Sequence, residues 1–388
     1  MNTSPAVCPA LETKNHIGWI DSLRVLACFM VVFSHCCDGF VAQFDADRAS
    51  FLTGSMLGSL MRSCVPLFVM ITGVLLLPLP QSSTLADFYR RRVGRIIPPL
   101  VFWSLALPPL AYLYFTGFGS HSVNPSVDLS AYTPEGLTNR LWTWVLNFNF
   151  DTTPLWYLYM LLGLYLIMPV IGPWLASASR RDMLTVLKVW GITLIVPYIK
   201  LFAPAAGYLG NYGNMDILGG CDWNAFSTFY YLSGFIGYLV LAVYLKRFPL
   251  QWSSTKLFGV MAPLFILGYA ITAGGYVWLQ ERYPGDYAYL EIIWYFCGIN
   301  VFMMTMPVFV AFQRLAPRGG KFLSSLASLT FGIYLCHFFF VMVAYDLFDI
   351  PGLPYAVRIV AMAVCVFSAA ALLTWVLRRF RLTSPLVS

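Results

Sequence analysis

The sequence predicts an all-α polytopic membrane protein with about ten transmembrane helices and both termini on the cytoplasmic side. Three observations favour this fold class. Of the 388 residues, 59% are hydrophobic and 11% are charged, whereas a soluble domain carries about 25% charged residues. Apolar stretches that reach the roughly 20 residues needed to cross a bilayer recur almost from end to end. Basic residues are concentrated in every second loop, which is typical of the cytoplasmic side of a membrane protein.

Ten apolar segments are candidates for these helices. The segment at 183–203 is the weakest, because two lysines and Pro197 interrupt it, and the segment at 97–117 begins at a proline pair. An eleventh apolar piece, Leu141 to Phe148, is too short to span and is expected to lie at the interface or to re-enter. The ten candidates cover residues 17–40, 54–79, 97–117, 155–176, 183–203, 226–246, 257–278, 289–312, 323–345 and 355–377.

We expect one transmembrane domain over residues 17–378, preceded by a short cytoplasmic segment at 1–16 and followed by a cytoplasmic tail at 379–388. The long loops at 118–154 and 204–225 are richer in acidic residues than the basic loops, so we expect them on the outer side. The formal net charge of +7 follows this loop pattern. We therefore expect the lipid bilayer as a partner and no nucleic acid.

The first predicted helix carries the most informative polar residues. Arg24 and His35 are eleven residues apart in an apolar stretch, so they share one helix face and lie about 16 Å apart along its axis. Ionisable groups inside a span are costly and usually face a protein interior or a wet cavity. Asp38, three residues after His35, is close enough to orient the imidazole as a carboxylate does in hydrolytic triads. The structural alternatives are a histidine bonded to a neighbouring helix and an arginine that pairs with Asp21 or snorkels to the interface.

A run of arginines precedes the third predicted helix. Arg92 and Arg95 are three residues apart, one helical turn, immediately before the proline pair. Two guanidiniums at this spacing suit the binding of a phosphate group, so we predict that an anionic cofactor enters here. Arg90 and Arg91 are explained by the enrichment of positive charge on the cytoplasmic side.

Three further residues are candidates for substrate contact or for support of the site. Arg62 lies on the outer side of the second predicted helix, Trp156 lies at the outer end of the fourth, and His337 is a second intramembrane histidine. A purely structural role is an equal alternative for His337. The small residues Ser328 and Gly332, four apart in the same segment as His337, predict a close helix contact.

Cysteines give no sign of a metal site. Seven of the nine lie in apolar segments, where cysteine packs as a small hydrophobic residue. The chain has no CxxC motif and no cysteine–histidine spacing of the kind that binds zinc or haem. We expect neither a metal nor a structural disulfide.

Five segments of the chain carry a family resemblance. They read WIDSLRVLACFMVVFSH at 19–35, VPLFVMITGVLLL at 65–77, FYRRRVGRIIPPL at 88–100, PLWYLYMLLGLYLIMPVI at 154–171 and SLTFGIYLCHFF at 328–339. In this order they resemble the acyltransferase-3 family of integral membrane O-acyltransferases, and within it the branch of the enterobacterial common antigen O-acetyltransferase. The chain departs from the family pattern at Thr72, where serine is usual, and at Leu155, where many relatives have histidine.

The resemblance implies a bacterial inner-membrane enzyme that moves an acyl group, usually acetyl from acetyl-coenzyme A, to a sugar hydroxyl. His35 matches the family's catalytic histidine, as general base or transient acyl carrier, and Arg24 matches its paired basic residue. Arg92 and Arg95 match the pair that engages the coenzyme. The expected partners are thus an acyl-coenzyme A donor and a cell-surface glycan or lipid-linked sugar as acceptor.

A transporter is the alternative function. Ten spans with proline and glycine breaks and with intramembrane histidine and arginine also suit a secondary transporter or flippase for a lipid-linked sugar or small solute. The chain shows no internal repeat, and its clustered arginines precede one span instead of lining several. These two observations favour the enzyme.

Overall fold

The computed structural model describes residues 18–79, 84–145, 149–208, 226–315 and 320–388. Within these ranges the α-helices are α1 (Gly18–Val41), α2 (Arg48–Leu60), α3 (Cys64–Leu76), α4 (Leu85–Thr116), α5 (Pro134–Thr143), α6 (Trp156–Ser177), α7 (Arg180–Thr193), α8 (Val196–Phe202), α9 (Ile236–Arg247), α10 (Ser254–Arg282), α11 (Tyr287–Trp294), α12 (Ile299–Leu315), α13 (Lys321–Leu347) and α14 (Tyr355–Leu377). In the same ranges, ten helical units are long and apolar enough to cross a membrane. The all-helical, ten-span plan is thereby confirmed, while the cytoplasmic position of the termini stays a prediction.

The two ends of the bundle differ in charge. The end where α1 and α4 begin and α14 ends carries the arginines at 90–95 and 378–381, and we call it the basic end. The opposite end, where α1 and α4 end, carries the long segment at 117–155, and we call it the loop end. Because α1 begins at the basic end, Arg24 lies near that end and His35 lies nearer the loop end.

Helix α1 is the central element of the bundle. It packs against α2, α3, α12, α13 and α14. Lipid tails are as apolar as leucine, so helices in a bilayer associate mainly through close packing and interhelical hydrogen bonds. Gly332 shows such packing, because a Cβ added there would lie 2.3 Å from Cγ2 of Thr374 on α14. The close helix contact expected at Gly332 is therefore present, whereas Ser328 holds the guanidinium of Arg378.

The third span begins earlier than its hydropathy indicates. Hydropathy predicts a start at residue 97, but α4 begins at Leu85, where the Thr84 hydroxyl caps the helix by accepting a hydrogen bond from the Asp87 backbone N–H. Arginine is a strong helix former, so the basic run is helical, and the prolines at 98 and 99 lie inside the helix. Arg92 and Arg95 consequently project from the helix that spans the membrane, not from a loop before it.

Three predicted spans are broken in the described residues: the fifth, between α7 and α8 at 194–195, and two others whose breaks meet. Of these two, the second span consists of α2 and α3, separated at 61–63, and the eighth span consists of α11 and α12, separated at 295–298. Breaks inside a membrane are tolerated where they line a cavity or where other groups satisfy the freed backbone. Here the Arg62 guanidinium donates to the carbonyl oxygen of Trp294, the last residue of α11. A side chain at the first break therefore satisfies a backbone carbonyl group at the second.

Some expectations fall wholly or partly outside the described residues. The N-terminal segment 1–16, most of the loop 204–225, and Cys8 and Cys221 belong there. The short apolar piece at 141–148 is described only to residue 145, where it forms the end of α5 and carries Trp142, 86% exposed. The cysteines at 28, 36, 37, 64, 297, 336 and 365 are free thiols, and all but Cys365 are buried.

Candidate active site

Two cavities of about 400 Å³ each lie inside the bundle. The first, the histidine cavity, is lined by His35 of α1, by Trp156 of α6 and by Arg62 and Phe296 from the two helix breaks. The second, the arginine cavity, is lined by arginines near the basic end. Helix α1 contributes to both cavities, through His35 to one and through Arg24 to the other. The shared helix face predicted for these two residues thus borders two cavities.

His35 has the partner that its spacing predicts. Its Nδ1 lies 2.8 Å from Oδ2 of Asp38, and the two side chains are 21% and 42% exposed. In the neutral tautomer Nδ1–H donates to the carboxylate, which leaves Nε2 as the nitrogen that can accept a proton. The ring also packs edge-on against Phe338, at 5.3 Å between centroids. The imidazole is therefore held in one orientation while it borders the cavity.

His337 supports His35 from behind. It is fully buried, and its ring centroid lies 5.4 Å from that of His35. Its Nδ1 is 2.6 Å from the carbonyl oxygen of Tyr334, and its Nε2 has no hydrogen-bond partner within the described residues. The described lining of either cavity does not include His337, so it contacts the candidate base and not the cavity.

Arg62 and Trp156 form an aromatic wall with their neighbours. The Arg62 guanidinium lies 4.1 Å from the ring centroid of Phe296 and 5.0 Å from that of Trp294. Trp156 stacks on Phe296 as well, with ring centroids 5.7 Å apart and an angle of 21° between the ring planes. Leu155, beside Trp156, is 1% exposed and belongs to the core. A flat cation and flat rings suit the faces and hydroxyls of a sugar.

A buried triad positions a segment that lines the histidine cavity. Asp151 is fully buried and accepts hydrogen bonds from Arg140 Nη1 and from the Tyr132 hydroxyl, each at 2.7 Å. Burial and the Asp151 carboxylate raise the pKa of Tyr132, so the hydroxyl stays protonated and donates. The sequence assigned these residues only to an outer loop. Their grouping positions the adjacent turn, whose Thr153 and Pro154 line the cavity.

The arginine cavity brings together the cationic residues singled out in the sequence. Arg24, Arg92 and Arg95 all line it, although they come from α1 and α4. The charge of Arg24 is attracted by Asp21 and, to a smaller extent, repelled by Arg95, and Nε of Arg95 donates to the carbonyl oxygen of Ser388 at 3.1 Å. Among the described residues that line this cavity, none is acidic. Such a concentration of positive charge attracts an anionic ligand.

Arg378 was missed by sequence reasoning. It lines the same cavity, and its Nη1 donates to Oγ of Ser328 at 2.7 Å. In the sequence it belongs to a basic tail, where the positive-inside pattern explains every arginine equally well. By contrast, Arg90 and Arg91 are exposed and interact with Asp87, as their assignment to the cytoplasmic surface predicts.

The polar side chains that line the two cavities carry mainly nitrogen and hydroxyl groups, and many of the other lining side chains are aromatic. No group of three or more histidine, cysteine, aspartate or glutamate side chains in the described ranges is arranged to hold a metal ion. The arrangement offers instead a base with a carboxylate partner, near the loop end, and a set of guanidiniums near the basic end. It can bind a polyanion at one place and remove a proton at another.

Comparison with known proteins identifies the family. A family model described as an acyltransferase domain, acyltransferase family 3, matches residues 17–379. The search of curated proteins found no significant match, and the search of solved structures found none either. The match extends over nearly the whole chain, and it includes every described lining residue of the two cavities except Ser388. The chain therefore belongs to the acyltransferase-3 family of membrane proteins.

Proposed function

We propose that the protein is a membrane-embedded O-acyltransferase that moves an acyl group, acetyl by preference, from acyl-coenzyme A to a hydroxyl of a cell-surface glycan or lipid-linked sugar. The observation that carries this proposal is the adjacency of the two cavities. One gathers arginines suited to a phosphorylated donor, and the other presents an oriented histidine. Membership of the acyltransferase-3 family supports the reaction type.

The arginine cavity suits the nucleotide end of coenzyme A. Arg92 and Arg95 lie one turn apart on α4, and Arg24 and Arg378 approach from α1 and from the end of α14. Guanidiniums bind phosphate oxygens through paired, charge-assisted hydrogen bonds. Coenzyme A carries its phosphates at one end and its thioester at the far end of a thin pantetheine arm. The arm would then extend the roughly 16 Å that separates Arg24 from His35 along α1.

The histidine cavity suits the chemical step. His35 removes the proton of the acceptor hydroxyl, and Asp38 holds the imidazole and stabilises its protonated form. The alkoxide attacks the thioester carbon, the carbon–sulfur bond breaks, and the thiolate takes the proton from His35. In the other route the acyl group resides on His35 before it passes to the hydroxyl.

The acceptor would bind at the aromatic wall formed by Arg62, Trp156 and Phe296. Sugar rings pack on aromatic faces, and a guanidinium already held between rings donates to hydroxyl or anionic groups without losing much side-chain freedom. We propose that the basic end faces the cytoplasm of a bacterium, where acyl-coenzyme A is found, and that the loop end faces outwards. The protein would then be a multi-pass component of the bacterial inner membrane.

A secondary transporter or flippase is the second candidate, because two cavities at opposite ends of one bundle also suit alternating access. The test is incubation of the purified protein in detergent with radiolabelled acetyl-coenzyme A. Specific binding, together with slow release of labelled acetate to water, is the expected result. A folded protein that binds no acyl-coenzyme A, and that exchanges a sugar in a counterflow assay without it, would refute the enzyme.

A further inference from the structure

Three aromatic side chains separate the two cavities. Phe68 of α3, Tyr157 of α6 and Tyr334 of α13 line both the histidine cavity and the arginine cavity, and among the described lining residues no others do. Ring centroids lie 6.1 Å apart for Phe68 and Tyr157 and 5.5 Å apart for Tyr157 and Tyr334. A side chain that lines two cavities stands between them. We call this set the aromatic partition.

The members of the partition are held unequally. Tyr334 donates its hydroxyl to the carbonyl oxygen of Pro154, and it is 7% exposed. Tyr157 is 8% exposed. Phe68 is only partly buried, and its ring has no polar group with which to form a hydrogen bond. The two tyrosines are therefore the more deeply buried members, and Phe68 is the member with most room to turn aside.

We propose that the aromatic partition, and Phe68 above all, selects the length of the acyl group that reaches His35. This inference rests on the proposed function, in which the donor arm enters from the arginine cavity. The thioester must then pass between the three rings before its carbonyl carbon meets the hydroxyl. A short acyl group passes when Phe68 turns, and a longer one collides with the buried rings of Tyr157 or Tyr334.

The reaction that follows passage through the partition is an ordinary acyl transfer from the thioester to a hydroxyl or to water. An acceptor oxygen, from a hydroxyl or from water, forms a bond to the acyl carbon, and the carbon–sulfur bond breaks. The acceptor proton passes to His35 and then to the departing thiolate, so the products are an acyl ester, or the free acid when water reacts, and coenzyme A. Hydrolysis by water is therefore a readout that needs no identified acceptor.

The test compares the release of acid from acetyl-, butyryl- and hexanoyl-coenzyme A by purified protein in detergent. We expect the wild type to favour acetyl- over butyryl-coenzyme A by about 10-fold or more, a usual range for discrimination by pocket size. Phe68→Ala opens a gap between the tyrosines and should bring the two rates to within about threefold of each other.

Two matched controls separate the partition from ordinary packing. Phe331→Ala alters a partly buried ring that lines only the arginine cavity, and Phe235→Ala alters one that lines only the histidine cavity. Both should keep the preference for acetyl, whatever they do to the absolute rates. Phe68→Trp, which narrows the passage, should slow acetyl release without weakening coenzyme A binding, and it serves if Phe68→Ala does not fold.

The outcomes distinguish the two proposals. If the wild type neither binds nor hydrolyses acyl-coenzyme A, the proposed function fails, and the inference fails with it. If the wild type is active but Phe68→Ala keeps its preference for acetyl, or if all three alanine variants lose it equally, only the role of the partition is refuted. The same holds if Phe68→Trp is as fast as the wild type.

Discussion

The histidine cavity and the arginine cavity have similar volumes but are built in opposite ways. The arginine cavity lies between regular helices, and its character comes from guanidiniums on α1, α4 and the end of α14. The histidine cavity lies where helices break, at 61–63 and 295–298, and seven of its fifteen described lining residues are phenylalanine, tyrosine or tryptophan. Positive charge near a membrane surface requires no special backbone, whereas room for a substrate near the middle of a bundle requires that helices be interrupted.

This difference implies a division of labour. In the proposed function, the guanidiniums of the arginine cavity bind the donor without acting on it, and His35 acts on a group that these arginines do not reach. Substitutions in one cavity should therefore change affinity for the donor and leave the chemical step intact, while substitutions in the other should do the reverse. The predictions below test that separation, beginning with the largest expected effect.

His35→Ala should lower the rate of acetyl-coenzyme A hydrolysis or transfer by about 1,000-fold, because general base catalysis contributes roughly 10²- to 10⁴-fold. The dissociation constant of coenzyme A, measured by calorimetry, should change by less than about twofold, a free-energy change of under about 0.5 kcal/mol. His121→Ala is the matched control, since His121 is exposed in the loop-end segment. Activity of His35→Ala near that of the wild type, at equal abundance, would remove His35 from the mechanism.

The double variant Arg92→Ala/Arg95→Ala should weaken coenzyme A binding by about 100-fold, because each lost hydrogen bond to a charged group costs about 1.5 kcal/mol or more. At saturating donor the turnover rate should recover most of its wild-type value. The control is Arg90→Ala/Arg91→Ala, which removes the same charge from the exposed side of the same helix. Equal losses in both double variants would mean that only the surface charge matters.

Asp38→Asn should reduce turnover by about 10-fold while the affinity for coenzyme A stays unchanged. The effect is smaller than in buried triads because the Asp38 side chain is 42% exposed, and solvent screens its charge. Asp45→Asn, in the exposed turn beyond α1, is the matched control. A loss as large as that of His35→Ala would show that the carboxylate does more than orient the imidazole.

Arg378→Ala should weaken coenzyme A binding by about fivefold, less than the Arg92 and Arg95 pair, because one exposed guanidinium is lost and its partner Ser328 is neutral. Arg381→Ala, three residues further on and outside the cavity lining, should leave the affinity unchanged. Identical dissociation constants for the two variants would exclude Arg378 from the donor site.

Hydropathy predicted the ten spans because a bilayer demands about 20 apolar residues wherever the chain crosses it. It misplaced the start of α4, because an arginine-rich extension at the basic end is helical without being apolar. The pairing of His35 with Asp38 followed from helical spacing alone. The length of a span and the spacing of His35 and Asp38 are local properties, which a single segment of the sequence specifies.

Contacts between residues that are far apart in the chain could not be predicted from the sequence. The break at 61–63 depends on Trp294, more than 200 residues away, whose carbonyl oxygen Arg62 satisfies. Arg378 reaches the cavity only because α14 ends beside α13. The aromatic partition likewise joins residues from three helices, each of which alone resembles an ordinary apolar side chain in a span.

The most direct test of the proposed function is a measurement of the end of the protein, basic or loop, at which acetyl-coenzyme A is used. The protein, with Cys8 and Cys221 replaced by serine, with the exposed Cys365 replaced by alanine and with His121→Cys as a marker of the loop end, is reconstituted into sealed liposomes. An impermeant maleimide measures the fraction of molecules whose loop end faces outwards, and radiolabelled acetyl-coenzyme A is supplied only outside. The account predicts that turnover follows the fraction of molecules whose basic end faces outwards. Turnover that follows the fraction with the loop end outwards would contradict it.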